Sequence, residues 1–286
     1  MNSKSRFLLF IVLILGSLTS NAQDGVQTVL DGAYVREHNP TRKVIPWPNL
    51  READVMWARR IWQVIDLKQK INHTLYFPVE EIEGRKCLFD VIKIGLMEEE
   101  SITAYDLGPT QSDDEFRYQM EKADIDTLLN PVVIRYVEDP ATGDKIEKKS
   151  VESLKSSDIV AYKIKEDWIF DKQRSERYVR IIGIAPIVMK YSESGEVKGT
   201  KELFWLYYPE CRYLFNNYDV FNAHNNAQQM TFDQLFQMRF FQGYIVKEDN
   251  VYNRKIDEYA KGIDALLESE KIKNDLFVME HDLWNF

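Results

Sequence analysis

The sequence predicts an α+β fold in which a central antiparallel sheet is flanked by N-terminal and C-terminal helices. Residues 160–165 alternate between large apolar side chains and Ala or Lys, and residues 178–189 are mostly apolar, as in a half-buried strand and a central strand. The connections between such strands are short, which favours antiparallel pairing. The sequence contains no repeat and no linker, so we expect a single domain, residues 51–286, preceded by an extended arm.

The first residues have the pattern of a secretory signal peptide. Lys4 and Arg6 precede an apolar run at residues 7–15, and residues 20–22 supply the small side chains that a signal peptidase requires. The run is shorter than the roughly 20 apolar residues of a membrane span. We therefore predict that residues 1–22 are removed after Ala22 and that the protein is exported.

Residues 23–50 have the composition of an extended arm. Pro40, Pro46 and Pro48 disfavour a helix in this segment, and the last two flank Trp47.

We predict that the first helix begins at Asn49, with Glu52 three residues later as its capping partner. The apolar residues that follow recur at three- and four-residue spacing, which would place a wide apolar stripe on one side of a helix. Arg51, Arg59 and Arg60 would project from its other sides. The stripe consists of Val55, Trp57, Ala58, Ile61, Trp62, Val64 and Ile65.

Further elements are predicted up to residue 208. Within the apolar run, Pro186 needs a bulge or a free strand edge, because proline has no N–H to donate. The elements are a helix at 85–99, an irregular segment or short surface helix at 108–126, a strand at 131–137, a turn at 139–143, a polar connection at 192–201 and a strand at 203–208.

The final third of the chain returns to helical patterns. Thr231 and Gln234 form the pattern of a capping box at the start of a helix. Residues 256–267 predict an amphipathic helix, and the apolar residues at 272–283 either extend that helix or begin another.

The protein is acidic, with a formal net charge of −9. Nucleic-acid binding is not expected, since duplex binding depends on Lys and Arg side chains that neutralise phosphates. Residues 31–70, however, contain more Lys and Arg than Asp and Glu, and such an asymmetry can orient a protein on a partner. A merely solvated basic surface is an equally open interpretation.

No sequence motif marks a catalytic or metal site. The histidines stand neither in His-Glu-x-x-His spacing nor beside Cys-x-x-Cys, and the sequence has no Gly-x-Ser-x-Gly and no phosphate-binding glycine loop. We therefore predict no enzyme activity, no cofactor and no metal. Acidic runs such as residues 98–100 and 113–115 leave one alternative open, a periplasmic hydrolase whose carboxylate pair has no motif.

Cys87 and Cys211 are the only cysteines, which is too few for a disulfide framework. An oxidising periplasm allows a single bridge between them, and two buried thiols are the alternative. Spacing in the sequence does not decide between the two.

Tryptophan and arginine, which dominate protein–protein interfaces, are frequent at the junction of the arm and the predicted first helix. We predict a partner-binding surface in this part of the chain. It consists of Arg36, Arg42, Lys43, Pro46, Trp47, Pro48, Arg51, Arg59 and Arg60.

Several blocks of the sequence resemble one protein family. They read IPWPNLREADVMW at residues 45–57, RIWQVIDL at 60–67, KINH at 70–73, YFP at 76–78, ITAY at 102–105, EDWIFDKQRS at 166–175 and WLYYPECR at 205–212. In these blocks the chain is similar to the GldN/PorN family of the type IX secretion and gliding-motility machinery. Residues 109–155 match the family least clearly.

The resemblance implies a non-enzymatic structural subunit in the periplasm, at the inner face of the outer membrane. Family members form rings with a GldK/PorK lipoprotein and connect to the GldL/GldM motor. The expected partners are therefore a GldK/PorK-like lipoprotein, a GldM/PorM-like motor component and further copies of the chain. Membrane contact is expected only through these partners. No family motif assigns the contacts to individual residues.

Overall fold

A computed structural model describes residues 42–110, 112–138, 145–191, 197–222, 225, 227 and 229–283. These residues belong to one compact unit, Asn39–Phe286. The predicted signal peptide, the first part of the predicted arm with Arg36, and the predicted turn at 139–143 lie outside the described residues.

Antiparallel strands form the centre of the molecule, which confirms the predicted α+β class and sheet. The strands are β1 (Val55–Asp66), β2 (Ala104–Asp106), β3 (Tyr118–Gln119), β4 (Val132–Glu138), β5 (Lys145–Val151), β6 (Ile159–Asp171), β7 (Glu176–Tyr191), β8 (Val197–Glu202), β9 (Trp205–Tyr207) and β10 (Tyr244–Glu248). Eight of them form one sheet in the order β10-β1-β6-β7-β9-β2-β3, with β8 paired to the end of β7. Strands β4 and β5 form a separate hairpin.

The described helices lie between and after the strands. They are α1 (His73–Tyr76), α2 (Leu88–Lys93), α3 (Lys122–Leu129), α4 (Tyr208–Phe215), α5 (Phe232–Gln237), α6 (Ile256–Tyr259) and α7 (Ile263–Leu283), with a π-helical turn, Ile94–Glu98, after α2.

Two helix predictions are confirmed and one is revised. The helix predicted at 85–99 is α2 with its π-helical turn. The capping box begins α5, where Thr231 Oγ1 accepts from the Gln234 amide at 3.2 Å and Gln234 Oε1 accepts from the Thr231 amide at 3.1 Å. The pattern at 256–267 is not one helix, because the chain breaks after α6 and Gly262 adopts a positive φ of 61°. Helix α7 then continues without interruption through the second pattern.

The predicted first helix is wrong. A 3₁₀ turn, Glu52–Asp54, is followed by strand β1, whose residues 61–65 are all buried. A strand covered on both faces is apolar at successive positions, so its apolar residues also fit helical spacing. The β-branched and aromatic side chains of the segment favour the strand. The arginines predicted to project from a helix therefore lie on β1 and on the turn before it.

Pro186 occupies neither a bulge nor an outer edge. Its carbonyl accepts from the Leu203 amide at 3.0 Å, and Leu203 lies in the short connection between β8 and β9. In an extended residue the nitrogen and the carbonyl point to the same side. The nitrogen of Pro186 therefore faces the connection between β8 and β9, where strand pairing requires no N–H donor.

One face of the sheet carries the main hydrophobic core. Ile65 and Ile164 point from β1 and β6 into this core, where α2, α4 and α5 contribute Phe89, Phe215 and Phe236. Helix α7 packs separately on the edge formed by β1 and β10, through Ile272 and Leu276 against Ile61 and Ile245.

The two cysteines are free and buried, so the bridge that the sequence allows is not formed in this structure. Cys87 caps the start of α2, where its Sγ accepts from the Asp90 amide at 3.4 Å and donates to Asp90 Oδ2 at 3.1 Å. Cys211 lies inside α4. Burial raises the pKa of Cys87 to about 11 and also raises the pKa of Cys211.

Glu166 is a fully buried carboxylate, 0% exposed, on β6. It accepts hydrogen bonds from both Arg239 Nη atoms at 2.8 and 3.2 Å, from Gln63 Nε2 at 2.8 Å and from Trp168 Nε1 at 3.1 Å. These bonds replace the hydration that the charge loses on burial. The cluster therefore ties β6 to β1 and to the segment that follows α5.

We expect Glu166→Ala to lower the free energy of unfolding by about 3 kcal/mol, because it leaves the groups around the carboxylate without their acceptor. Urea denaturation measures the change. The matched control is Glu176→Ala at an exposed carboxylate, which should change the stability by less than about 0.5 kcal/mol. Equal midpoints for the two variants would contradict this role of Glu166.

Both thiols are expected to resist iodoacetamide in the folded protein and to react once urea unfolds it, because the thiolate is the reactive form. Above the ordinary thiol pKa of about 8.5, the unfolded chain loses protons that the folded chain keeps, so stability should fall as the pH rises further. Mass spectrometry without reductant counts the alkyl groups on Cys87 and Cys211. A chain that takes up none after unfolding would reveal a bridge between them.

Candidate functional site

The described end of the predicted arm, residues 42–50, is anchored near α4. Arg42 Nη1 lies 2.5 Å from Asp219 Oδ1. Asn216 Nδ2, just after α4, donates to the Arg42 carbonyl at 2.8 Å. Both the side chain and the backbone of Arg42 therefore make contacts within the chain.

Trp47 is the central contact of the arm. Its ring stacks on Tyr208 with the centroids 6.3 Å apart, and its Nε1 donates to Gln237 Oε1 at 3.1 Å. The guanidinium groups of Arg212 and Arg180 lie 4.7 and 5.6 Å from the ring centroid, within the range of cation–π attraction. The indole is thus half-buried and already engaged.

Arg212 joins the arm to two helices. Its Nη2 donates to the Ile45 carbonyl at 2.6 Å. Its Nε and Nη2 also donate to the two carboxylate oxygens of Asp233, at 2.9 and 3.2 Å. Arg212 lies in the last turn of α4 and Asp233 in the first turn of α5, which are the helix ends where a positive and a negative charge are favoured. In a similar way, Arg180 donates to the Pro48 carbonyl.

The outer side of the arm is exposed. Lys43 and Pro46 are exposed, and Ile45 between them is 74% exposed. Of the predicted interface residues on the described part of the arm, Lys43 and Pro46 are therefore the most exposed, whereas Trp47 holds the segment in place.

The three predicted interface arginines on β1 and its preceding turn have acidic neighbours. A hydrogen bond from Arg60 to Asp167 raises the pKa of Arg60. The excess of positive charge at residues 31–70 is therefore partly neutralised in the fold. The ion pairs are Arg51–Asp54 at 2.8 Å, Arg59–Glu248 at 3.3 Å and Arg60–Asp167 at 2.6 Å.

Helix α7 has an exposed apolar face whose residues are not among those predicted to bind a partner. Its buried stripe packs on the sheet, but large apolar side chains also lie on its other sides and reach solvent. Exposed apolar patches on a protein surface mark interaction sites. In the sequence, this exposed face is indicated by apolar residues that fall outside a single helical stripe. The exposed side chains are Ile263, Leu266, Leu267, Phe277 and Val278.

A cavity of about 720 Å³ lies beside β1, β6, β7, β8 and β10, and its walls include the starts of α6 and α7. Lysines outnumber carboxylates in its lining, and the carboxylate of Glu202 is bound by Lys163 Nζ at 2.7 Å.

Among the described residues, no three His, Cys, Asp or Glu side chains are placed to hold one metal ion. None of the described helices is both long and apolar enough to cross a membrane.

A search of curated protein sequences returns no match. The family model for gliding motility associated protein GldN matches residues 50–285, which is most of the chain. This match spans the whole sheet and helices α1 to α7, and it confirms the family predicted from the sequence blocks. The chain therefore belongs to the GldN family of gliding motility associated proteins.

Proposed function

We propose that this protein is a non-enzymatic structural subunit of the type IX protein secretion and gliding-motility machinery. In this proposal it is exported to the periplasm and forms a ring with a GldK/PorK-like outer-membrane lipoprotein. The ring is coupled to the GldL/GldM motor through a GldM/PorM-like component. The observation that carries the proposal is the match of residues 50–285 to the GldN family.

Two surfaces support a role in assembly. A closed ring of identical subunits requires two different patches on each subunit, which meet head to tail. The first patch is the outer side of the arm with the neighbouring arginines of β1, and the second is the exposed face of α7. Helix α7 also carries more carboxylates than lysines, which complements the charge of Lys43 on the outer side of the arm.

The apolar side chains of the proposed contact lie mainly on α7. Phe277 and Leu267 are 65% and 62% exposed, and burial of such side chains at a subunit contact contributes roughly 25 cal/mol for each Å² of apolar surface removed from water. The first patch contributes Ile45 of the arm and Met56 of β1, which are 74% and 59% exposed. We assign the subunit-to-subunit contact to these two patches.

Leu267→Glu combined with Phe277→Glu should abolish the ring and leave the monomer folded. Two buried, unpaired charges at the contact should weaken association at least about a hundredfold. The measurement is purification of the tagged protein from detergent-solubilised envelopes, followed by sizing and imaging of the ring and its lipoprotein.

The matched control is Val151→Glu combined with Val197→Glu, which places the same charges at exposed apolar residues elsewhere. It should leave assembly unchanged. Recovery of the wild-type protein only as a monomer without a lipoprotein would overturn the proposed function itself.

Trp47→Ala should release the arm, because the stacking, the hydrogen bond to Gln237 and the cation–π contacts disappear together. We expect a loss of about 1–3 kcal/mol in stability and faster cleavage by trypsin at Arg42 and Lys43. Limited proteolysis with mass spectrometry detects the cleavage. Tyr213→Ala, at an exposed aromatic residue of α4, is the control and should cleave at the wild-type rate. Unchanged cleavage of the Trp47 variant would show that the indole does not hold the arm.

A further inference from the structure

The register of the strands places a row of basic side chains on the side of the sheet away from the main core. Trp62 of β1 stands opposite Lys247 of β10 on one side and Lys165 of β6 on the other. Directly opposed residues in a sheet point to the same face. Lys163, two residues before Lys165, stands opposite Val64 and points to that face as well.

Two of these lysines are buried and paired. Lys163 Nζ lies 2.7 Å from Glu202 Oε1, and Lys165 Nζ lies 3.3 Å from Asp114 Oδ1. Their side chains are only 9% and 4% exposed. Each buried ammonium therefore has a carboxylate that offsets its loss of hydration.

Lys247 and Lys255 differ from these two. Among the described residues, no carboxylate lies within ion-pair distance of either Nζ atom, and Lys247 instead lies over the Trp62 ring at 4.3 Å from its centroid. Partial burial lowers the pKa of Lys247, the Asp114 carboxylate opposes this shift, and the neighbouring lysines lower the pKa further. This part of the face thus holds more positive charge than its carboxylates neutralise.

An acidic segment of the chain itself, around Asp114, covers the neighbouring part of this face. Lys165 Nζ donates to the Asp114 carbonyl at 2.7 Å, and Trp62 Nε1 donates to Asp114 Oδ2 at 2.5 Å. Phe116, two residues later, packs where Gly183 leaves room, since a Cβ at Gly183 would lie 2.7 Å from the Phe116 ring. The face therefore binds a peptide carboxylate together with an adjacent apolar side chain.

The remaining part of the face is the open cavity of about 720 Å³. Apolar side chains, including Val64, Ala161 and Ile187, form a small cluster in it. A volume of this size holds several side chains, far more than one small anion. The lysines of the lining come from separate strands and loops. They are Lys68, Lys163, Lys190, Lys201 and Lys255.

We propose that this cavity and the adjoining Lys247, which follows the lining residue Val246 on β10, bind an acidic segment of a partner polypeptide. Its carboxylates would lie on Lys247 and on Lys255 of the lining, and its apolar side chains on the cluster between the lysines. The Asp114 segment is the intramolecular example of the same recognition. The net charge of −9 makes such a local cationic surface an exception on this protein. Binding of such a segment does not require ring formation, because it depends only on the charges and the apolar lining of the cavity.

The probe is a fluorescein-labelled peptide in which Glu alternates with Val and Ser, and the readout is fluorescence anisotropy with the purified full chain. The wild-type protein should bind it, and added salt should weaken the binding because it screens exposed charges. Lys247→Gln combined with Lys255→Gln should weaken binding about tenfold. Asp114→Asn should strengthen it about threefold, because it removes the carboxylate that the chain itself supplies.

The matched control is Lys271→Gln combined with Lys273→Gln, which makes the same change in net charge at two exposed lysines of α7. It should bind like the wild type. An equal loss in this control, or equal binding of the peptide with Gln in place of Glu, would overturn the proposal. So would displacement of the peptide by inorganic phosphate or by phosphatidylglycerol vesicles at the same charge concentration, since either would show a site for any anion.

Discussion

The arrangement of the arm and of helices α4 and α5 depends on the guanidinium group of Arg212. It donates to both oxygens of Asp233 and to the Ile45 carbonyl, and it lies under the Trp47 ring. Both members of the ion pair are buried, at 7% and 5% exposure. Buried charges are stable only when nearly all their hydrogen-bonding capacity is used. The two helices can therefore bury this pair only when they lie side by side, and the arm completes its coordination.

The sheet separates two environments. Its inner face is apolar and carries the helices of the main core. Its other face carries buried lysines among tryptophans, and it is covered in part by the segment between β2 and β3. Strand β1 takes part in both, which is why its side chains are buried on both faces at residues 61–65. A strand in this position has no polar face. Its sequence therefore lacks the alternation of apolar and polar residues that is typical of a half-buried strand.

The surfaces of the molecule differ in how far their side chains are exposed and therefore available to a partner. Trp47 and Arg42 look like interface residues by type, but their contacts are made within the chain. The exposed face of α7 and the outer side of the arm are the apolar and basic surfaces that solvent reaches. The match over residues 50–285 shows that the chain belongs to the GldN family of gliding motility associated proteins. The lysine-lined cavity is a separate surface with its own chemistry.

The sequence alone determined the α+β class, strands β6 and β7, the capping box of α5 and the family, because these depend on patterns within short segments. The tertiary structure decided whether residues 55–66 form a helix or a strand, since that depends on burial of both faces by other elements. It also decided the role of Trp47, whose hydrogen-bond partner is 190 residues away. The lysine row exists only through the register of three strands. Side-chain contacts between distant segments follow from packing of the whole chain, and local patterns do not contain that information.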